Sequence, residues 1–254
     1  MFEVHVLASG SDGNCTVIQL DDEAVMIDAG ISCKKTMELM EREGVDHKVL
    51  KALLVTHEHS DHVAGAGPVS RKFDIPIMCN RATFECCDFG SADYAEIATM
   101  GSFCVGSMNI IPLPTSHDAA EPNAFLVEAD GKRVLVATDT GKLTFQIEHA
   151  LKQADVAVIE SNYDKKMLAE GPYPPYLKKH IASEIGHLSN TACASALKNT
   201  MKKDNRQIFL AHLSKINNAP DIARETVAET MGLKRLCIDC LEFPGDTRTI
   251  KVRG

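Results

Sequence analysis

The chain has 254 residues, 44% of them hydrophobic and 24% charged, which is an ordinary composition for a globular protein with a sizeable core. No apolar run reaches the length of a membrane-spanning helix, and the formal net charge of −8 argues against general affinity for nucleic acids. The N-terminus enters a strand pattern without a signal peptide, and the nine cysteines have no disulfide framework, so we expect a cytoplasmic protein. Cys15, Cys79, Cys104 and Cys193 are expected in the core as small hydrophobic residues.

The first predicted strand, Phe2 to Leu7, leads into a loop of glycine and small polar residues. Ser9, Ser11 and Asn14 alternate there with glycines, which let the backbone turn tightly and approach a ligand. Because hydroxyl and amide groups in such a loop can hold an anion, we treat these three as candidate substrate-binding residues. A plain turn is the alternative interpretation.

The stretch Leu53-Leu54-Val55-Thr56-His57-Glu58-His59-Ser60-Asp61-His62 is a predicted buried strand that runs into a polar cluster. His57 and His59 are two residues apart, so both rings can point the same way, and Asp61 and His62 follow at once. Imidazole and carboxylate groups at this density suit divalent transition metals. A solvated His-rich loop is the alternative, but this cluster ends a hydrophobic strand. A single helix is predicted after it, from Val63 to Arg71.

Four further predicted strands end in a residue that can bind a metal or move a proton. These residues are His117, Asp139, Glu160 and His212. A surface histidine and a helix-capping aspartate are the ordinary interpretations of His117 and Asp139. Because the cluster from His57 to His62 is present, we interpret His117 and Asp139 instead as parts of one site. Asp28, at the end of another predicted strand, is interpreted as a supporting residue. Two short strands, Leu236 to Leu241 and Thr247 to Val252, are predicted at sheet edges.

The pattern His57-x-His59-x-Asp61-His62 after an apolar strand resembles the signature of the metallo-β-lactamase superfamily of two-metal hydrolases. The resemblance implies an α/β fold, a four-layer αββα sandwich of two mixed sheets with helices outside. It implies two divalent metal ions, zinc, manganese or iron. One ion would be held by His57, His59 and His117, the other by Asp61, His62 and His212, and Asp139 would bridge them. A water bridging both ions would lose a proton near neutral pH and act as the nucleophile.

Three segments narrow the resemblance to the YycJ-like (WalJ) branch, over essentially the whole chain. They are residues 9–14, Gly186-His187-Leu188-Ser189-Asn190, and residues 211–220. The branch implies a nuclease, a 5′-to-3′ exonuclease acting on DNA ends, with Ser189 and Asn190 as candidate substrate-binding residues. The pair Glu160 and His187 is also similar to the tRNA 3′-end processing nucleases. That similarity implies catalytic roles for Asp61, Glu160 and His187, with His187 giving a proton to the leaving oxygen.

The chain departs from the branch pattern at two positions near the implied phosphate path. Tyr163 stands where a histidine is common, and His180 stands where an arginine is common. Two other functional classes therefore stay open. One is a small-molecule hydrolase of the same fold, acting on cyclic phosphodiesters, thioesters or lactones, and the other is a non-catalytic, metal-stabilised interaction protein.

Positive charge is concentrated between Asp164 and Arg206. This segment has seven lysines and one arginine against two aspartates and two glutamates, a net charge of +4 in an acidic protein. We expect Lys178 and Lys179 to contact substrate phosphates, which favours nucleic acid as the partner. The resemblance to the YycJ-like branch implies DNA rather than RNA. A solvated helix face is the alternative. We expect residues 1–254 to form one domain with two structural halves, about 1–118 and 119–254.

Overall fold

The structure is a computed structural model that describes residues 1–200, 206–243 and 245–253. Its strands, in chain order, are β1 Phe2–Ala8, β2 Cys15–Leu20, β3 Glu23–Ile27, β4 Leu50–Leu54, β5 Ile77–Cys79, β6 Tyr94–Glu96, β7 Phe103–Val105, β8 Met108–Pro114, β9 Asn123–Ala129, β10 Lys132–Ala137, β11 Val156–Glu160, β12 Gln207–Ala211, β13 Ile238–Cys240 and β14 Arg248–Lys251. The helices are α1 Cys33–Arg42, α2 Ser60–Val63, α3 Ala66–Phe73, α4 Arg81–Glu85, α5 Phe145–Gln153, α6 Lys165–Glu170, α7 Pro175–Ile181, α8 Asn190–Asn199 and α9 Pro220–Met231, with 3-10 turns at His47–Val49 and Arg235–Cys237.

The strands form two mixed sheets of seven strands each. The first has the order β14-β1-β2-β3-β4-β5-β6 and the second the order β13-β12-β11-β10-β9-β8-β7. Strands β3, β4, β5 and β6 are parallel, as are β10, β11, β12 and β13. The two predicted edge strands are confirmed as β13 and β14.

Three hydrophobic clusters give the molecule its four layers. Side chains of both sheets, among them Val4, Val25, Phe125 and Val158, pack between the sheets. The outer face of the first sheet packs against α1 and α3, and the outer face of the second packs against α5, α8 and α9. Strands with both faces covered must be apolar on both sides, which explains the continuous hydrophobic runs of the sequence. The predicted αββα sandwich is confirmed.

The two sheets divide the chain differently from the predicted halves, because β7 and β8 belong to the second sheet and β14 returns to the first. Two sequence-based expectations about the fold are corrected. The predicted helix from Val63 to Arg71 is two helices separated at Gly65, where a Cβ atom would lie 2.0 Å from the carbonyl oxygen of Ile31. Cys104, expected in the core with Cys15, Cys79 and Cys193, is exposed on the edge strand β7, whereas the other three are buried.

The parallel strands place their polar ends at one edge of the sandwich. Strands β3 and β4 of the first sheet end beside each other, as do β10, β11 and β12 of the second. In sheets of this kind, ligands bind outside the carboxyl ends of the strands. This edge is therefore the expected place for a ligand-binding site. No helix in the described ranges is long and apolar enough to cross a bilayer.

Candidate metal centre

Seven predicted ligand residues converge at this edge of the sandwich. They come from the loops after β4, β8, β10 and β12, and they are His57, His59, Asp61, His62, His117, Asp139 and His212. Their nitrogen and oxygen atoms fall into overlapping groups, and within each group the atoms lie within 4.8 Å of one another. His59 and Asp61 are partly exposed, and the other five residues are buried.

The first group consists of His57, His59 and His117. Nδ1 of His59 lies 3.1 Å from Nε2 of His57 and 3.2 Å from Nε2 of His117. Zinc binds imidazole nitrogen at about 2.0–2.1 Å, which in a tetrahedral site separates two ligand atoms by roughly 3.3 Å. The observed spacing of the three nitrogens therefore fits one such ion.

The second group consists of Asp61, His62 and His212. Oδ2 of Asp61 lies 3.4 Å from Nε2 of His212 and 3.6 Å from Nε2 of His62. The geometry again fits one divalent ion held by two imidazoles and a carboxylate, a donor set that zinc, manganese and iron accept.

Asp139 lies between the two groups. Its Oδ2 is 3.1 Å from Nε2 of His62, and its Oδ1 is 3.7 Å from Nε2 of His117. Oδ2 is buried, yet it accepts no well-aligned hydrogen bond from any described residue. A buried carboxylate oxygen without such a partner is costly unless a cation satisfies it. The residues present therefore fit a pair of metal ions with Asp139 as their shared ligand.

The charged groups of this cluster shift one another's pKa values. Burial by itself disfavours the ionised carboxyl of Asp139, but His212 and His62 outweigh it and hold its pKa well below the ordinary value. For His62, burial opposes the charged form, while Asp139 and Asp28 favour it and raise the pKa to about 10. Burial and the neighbouring His62 lower the pKa of His57 well below its ordinary value. A site with opposed shifts this large in one cleft is typical of a functional centre.

Four of the histidines have their second ring nitrogen held by an acceptor. Nδ1 of His62 donates to Asp28 (2.7 Å), and Nδ1 of His57 donates to Thr56 (3.0 Å), whose hydroxyl donates to Asp28. Nδ1 of His117 donates to the carbonyl of Gly186 (3.1 Å), and Nδ1 of His212 donates to Glu160 (3.0 Å). Such partners fix the tautomer and the orientation of a metal-binding imidazole. Sequence reasoning found the supporting position of Asp28 but missed Thr56 and the Gly186 carbonyl.

The strand ends bend sharply where they enter the site. Asp28, Asp139 and His212 follow β3, β10 and β12 with φ angles of +59°, +53° and +55°. Non-glycine residues rarely adopt this left-handed conformation, and aspartate and histidine do so more readily than most. Gly30 has a related role, because a Cβ there would lie 1.7 Å from the carbonyl oxygen of Asp61. The close approach of these loops requires that glycine.

His187 stands beside both groups. Its ring centroid lies 5.3 Å from that of His117 and 5.2 Å from that of His212. Nδ1 of His187 donates to Glu160 (2.7 Å), and Glu160 also accepts from the backbone N–H groups of Thr140 and Leu188. Burial favours the neutral ring, but Glu160 outweighs this and raises the pKa of His187. The structure thus brings the predicted pair together, with Nδ1 of His187 held by Glu160.

The predicted substrate-binding loop supports the centre as well as bordering it. Ser9 Oγ accepts from the backbone N–H of His212 (2.7 Å), and Nδ2 of Asn14 lies 3.0 Å from Nε2 of His62. Ser11 is exposed to solvent. The side chains of Ser189 and Asn190, expected to contact substrate, are instead buried. Ser189 caps the N-terminus of α8, and Asn190 bonds to Ser161 and Asn218.

The described lysines of the positive segment lie on α6, α7 and α8. Lys178 donates to the carbonyl of Ala169 (2.7 Å), and Lys165, Lys166 and Lys179 are exposed. Arg206 is turned inward to the backbone of Thr200, so it offers little charge to a ligand. Lys202 and Lys203, counted in the same segment, lie outside the described residues.

The two departures from the family pattern differ in position. Tyr163 is buried in a small cluster with Leu168 and Ile181, which removes its ring from any phosphate path. His180 is on the surface, and its Nε2 lies 2.9 Å from Oδ2 of Asp118, the residue after His117.

Comparisons with known proteins agree with this geometry. Residues 23–213 match the model of the beta-lactamase superfamily domain. The chain is 35% identical over 231 residues to the Bacillus anthracis protein named exodeoxyribonuclease YycJ, covering 89% of this chain and 88% of that one. It is 34% identical over 237 residues to exodeoxyribonuclease WalJ of Streptococcus pneumoniae, covering 91% and 88%. The crystal structure of the metallo-beta-lactamase fold protein YhfI from Bacillus subtilis superimposes with a TM-score of 0.77 at 16% identity, over 99% of this chain and 100% of that one.

Proposed function

Since the chain belongs to the metallo-β-lactamase superfamily of metal-dependent hydrolases, in the branch of the YycJ and WalJ proteins, we propose that it is an exonuclease that hydrolyses phosphodiester bonds at DNA ends. The relatives' names suggest the substrate. The observation that carries the reaction is the pair of ligand groups joined by Asp139, whose Oδ2 lacks an aligned protein donor among the described residues. We expect 5′-to-3′ polarity, as the resemblance implies.

In this proposal His57, His59 and His117 hold one divalent ion, and Asp61, His62 and His212 hold a second, with Asp139 shared. Two such ions would lower the pKa of a bound water towards neutrality and neutralise charge developing on the phosphate. The chain's own contribution is orientation. Asp28, Thr56 and Glu160 fix the imidazoles, and Ser9 and Asn14 hold the loops of His212 and His62 in place.

His187 has the position of a proton donor. Its Nδ1 is fixed by Glu160, so its Nε2 is the atom that can give a proton to the oxygen leaving the phosphate. The raised pKa favours the protonated ring that this role requires near neutral pH. Glu160 is a positioning residue, since it acts on substrate only through His187 and His212.

A cavity beside the site favours a second candidate, a small-molecule hydrolase of the same fold. It has a volume of about 510 Å³ and is lined by Leu7, Leu39 and Leu213 together with Ser9, which also contacts the backbone of His212. This volume is within the usual range of small-ligand pockets. Cyclic phosphodiesters, thioesters and lactones are the substrate classes to compare with DNA.

The deciding experiment is an assay on end-labelled single- and double-stranded DNA and RNA, with zinc, manganese and iron supplied in turn. We expect mononucleotides to be released progressively from DNA ends, and the release to stop when the metal is chelated. Turnover of a cyclic phosphodiester, thioester or lactone without cleavage of any nucleic acid would select the small-molecule hydrolase. An intact metal centre with no hydrolysis at all would leave a metal-stabilised interaction protein.

Metal content tests the two-ion assignment directly. We expect elemental analysis of gently purified protein to approach two divalent ions per chain, because seven ligand residues exceed what one tetrahedral site can use. Protein with all seven residues intact that never binds more than one equivalent, even after reconstitution, would contradict the shared role of Asp139.

Lys178 and Lys179 should affect the salt dependence of DNA binding. Replacing both by alanine should weaken binding equally for all sequences, because lysines that neutralise phosphates release counterions. The slope of log K against log salt should flatten by about 0.7–0.9 for each lysine–phosphate interaction removed. The matched control is Lys48→Ala with Lys51→Ala, which removes the same charge from exposed positions around the start of β4, the end away from the site. Equal slopes in the two double variants would favour the solvated-face interpretation of Lys178 and Lys179.

A further inference from the structure

Helix α7 exposes an aromatic and basic face that the proposed catalytic centre does not use. Tyr176, Lys179 and His180 are spaced i, i+3 and i+4, so they share one side of the helix. All three are exposed, and 75% of Tyr176 is accessible to solvent. The opposite side, with Leu177 and Ile181, packs into a small hydrophobic cluster with Leu168 and Tyr173. The helix is therefore anchored by one side and presents the other, here called the α7 face, to solvent.

The C-terminal end of α7 contacts the catalytic centre at two places. Nε2 of His180 lies 2.9 Å from Oδ2 of Asp118, whose Oδ1 is 3.4 Å from Nδ1 of His117. The carbonyl of Ile181 accepts a hydrogen bond from the backbone N–H of His187 (2.9 Å). Tyr176 is five residues before Ile181, about 7.5 Å along a helix with a rise of 1.5 Å per residue. This distance is comparable to two stacked nucleotides at about 3.4 Å each.

The depth of the site bears on which form of DNA can reach it. His57, Asp139 and His212 are 2% exposed or less, and His187 is only 22% exposed at its side chain. A duplex presents its backbone on the outside of a wide, stiff rod, whereas a single strand can enter a narrow cleft with its bases turned outward. Bases in a single strand also have free faces, which stack on aromatic side chains without regard to sequence. A helix that carries an exposed tyrosine next to lysine fits such a strand.

We propose that the α7 face binds an unpaired DNA strand, with one base stacked on Tyr176 and the adjoining phosphate near Lys179, a few nucleotides from the bond that is cut. The inference rests on the proposed function and deepens it, because it defines the substrate as a single-stranded or frayed end. Charge complementarity supports this occupant. Lys179 lies beside Tyr176 on the α7 face, and α6, which packs against α7 through Leu168, carries the exposed Lys165 and Lys166.

Fluorescence gives a test that does not depend on cleavage. The chain contains no tryptophan, so Tyr176→Trp introduces a single reporter at the proposed stacking position. Metal-loaded Tyr176→Trp protein is titrated with a phosphorothioate oligothymidylate, which resists hydrolysis. We expect quenching by the stacked base, with saturation. The control is Leu236→Trp, at a residue that is 96% exposed in the 3-10 turn before β13, at the end of that strand away from the site. Quenching that is absent, or equal in the two variants, would overturn the proposal.

Kinetics give the second test, in which Tyr176→Ala and Tyr176→Phe are compared on single-stranded DNA. Loss of one stacked base should raise KM about tenfold for Tyr176→Ala with kcat retained. Tyr176→Phe keeps the ring and should keep KM within about twofold of the wild type, as should Leu236→Ala. A KM for Tyr176→Ala equal to that of Leu236→Ala would refute the stacking role.

The failure of this inference can be told apart from failure of the proposed function. The wild-type enzyme is assayed in parallel on bis(p-nitrophenyl) phosphate, a diester of a single phosphate with no further nucleotides to extend along the α7 face. A wild-type enzyme that hydrolyses neither DNA nor this diester contradicts the proposed function. The other outcome is a wild-type enzyme that hydrolyses both substrates and a Tyr176→Ala variant whose activity falls by the same factor on single-stranded and on blunt duplex DNA. That result contradicts only the single-strand role of the α7 face.

Discussion

Replacing Asp139 by alanine should reduce turnover of any substrate by more than about a hundredfold. The expectation follows from its position, since Oδ1 and Oδ2 face His117 of one ligand group and His62 of the other. Mutation of a residue that only orients a metal ligand already lowers metal affinity or activity by roughly 10–100-fold. A carboxylate shared by two cations also relieves their mutual repulsion, so its loss should lower metal content towards one ion per chain. Elemental analysis and steady-state kinetics on the same preparation measure both effects.

Asp139→Asn is the matched variant with which Asp139→Ala should be compared. Residue 139 has φ +53°, and strain of this kind costs of the order of 1–3 kcal/mol for residues that do not favour it. Asparagine tolerates the left-handed conformation about as well as aspartate, so Asp139→Asn removes the charge without changing the backbone preference. We expect both variants to lose activity, and Asp139→Ala to unfold at a lower temperature than Asp139→Asn. Full metal content and normal turnover in Asp139→Asn would exclude the bridging role.

The position of the site could be predicted because its signal is local in sequence. His57, His59, Asp61 and His62 are within six residues, and His117, Asp139 and His212 each follow an apolar strand. Parallel strands end at the same edge of a sheet, so residues at such ends are expected to meet. The four-layer fold was expected from the resemblance to the metallo-β-lactamase superfamily, and strands that are hydrophobic on both faces agree with it. These are properties of individual segments and of their order.

The features that the sequence did not reveal depend on contacts between distant segments. The acceptor for Nδ1 of His117 is a backbone carbonyl 69 residues away, and every residue type has such a carbonyl. Ser189 and Asn190 come two and three residues after His187 and were expected to contact substrate. Their side chains instead turn inward, where Ser189 caps α8 and Asn190 bonds to Ser161 and Asn218. The return of β14 to the first sheet is likewise a long-range pairing, between residues 3–6 and 248–251. Local patterns do not contain this information.

Replacing His187 by alanine should slow the chemical step on DNA by about 10²–10⁴-fold, the usual contribution of a general acid. The reason is the geometry of its ring: Glu160 holds Nδ1, and Nε2 remains for the leaving oxygen. His187 lies in a further group with Asp139, Glu160 and His212, where its Nδ1 donates to Glu160, but it is absent from the two groups assigned to the metal ions. Metal content should therefore stay at the wild-type level. Single-turnover rates and elemental analysis of one preparation test the two expectations together.

The leaving group separates proton donation by His187 from a purely structural role. A sugar oxygen needs a proton as it departs, whereas p-nitrophenolate is stable without one, so His187→Ala should lose much less activity on bis(p-nitrophenyl) phosphate than on DNA. His149→Ala, at an exposed histidine of α5, is the control and should behave as wild type on both substrates. Equal losses on the two substrates would mean that His187 supports the site without donating a proton. Glu160→Gln should share the leaving-group dependence, because a neutral amide no longer favours the protonated imidazole whose proton the DNA reaction consumes.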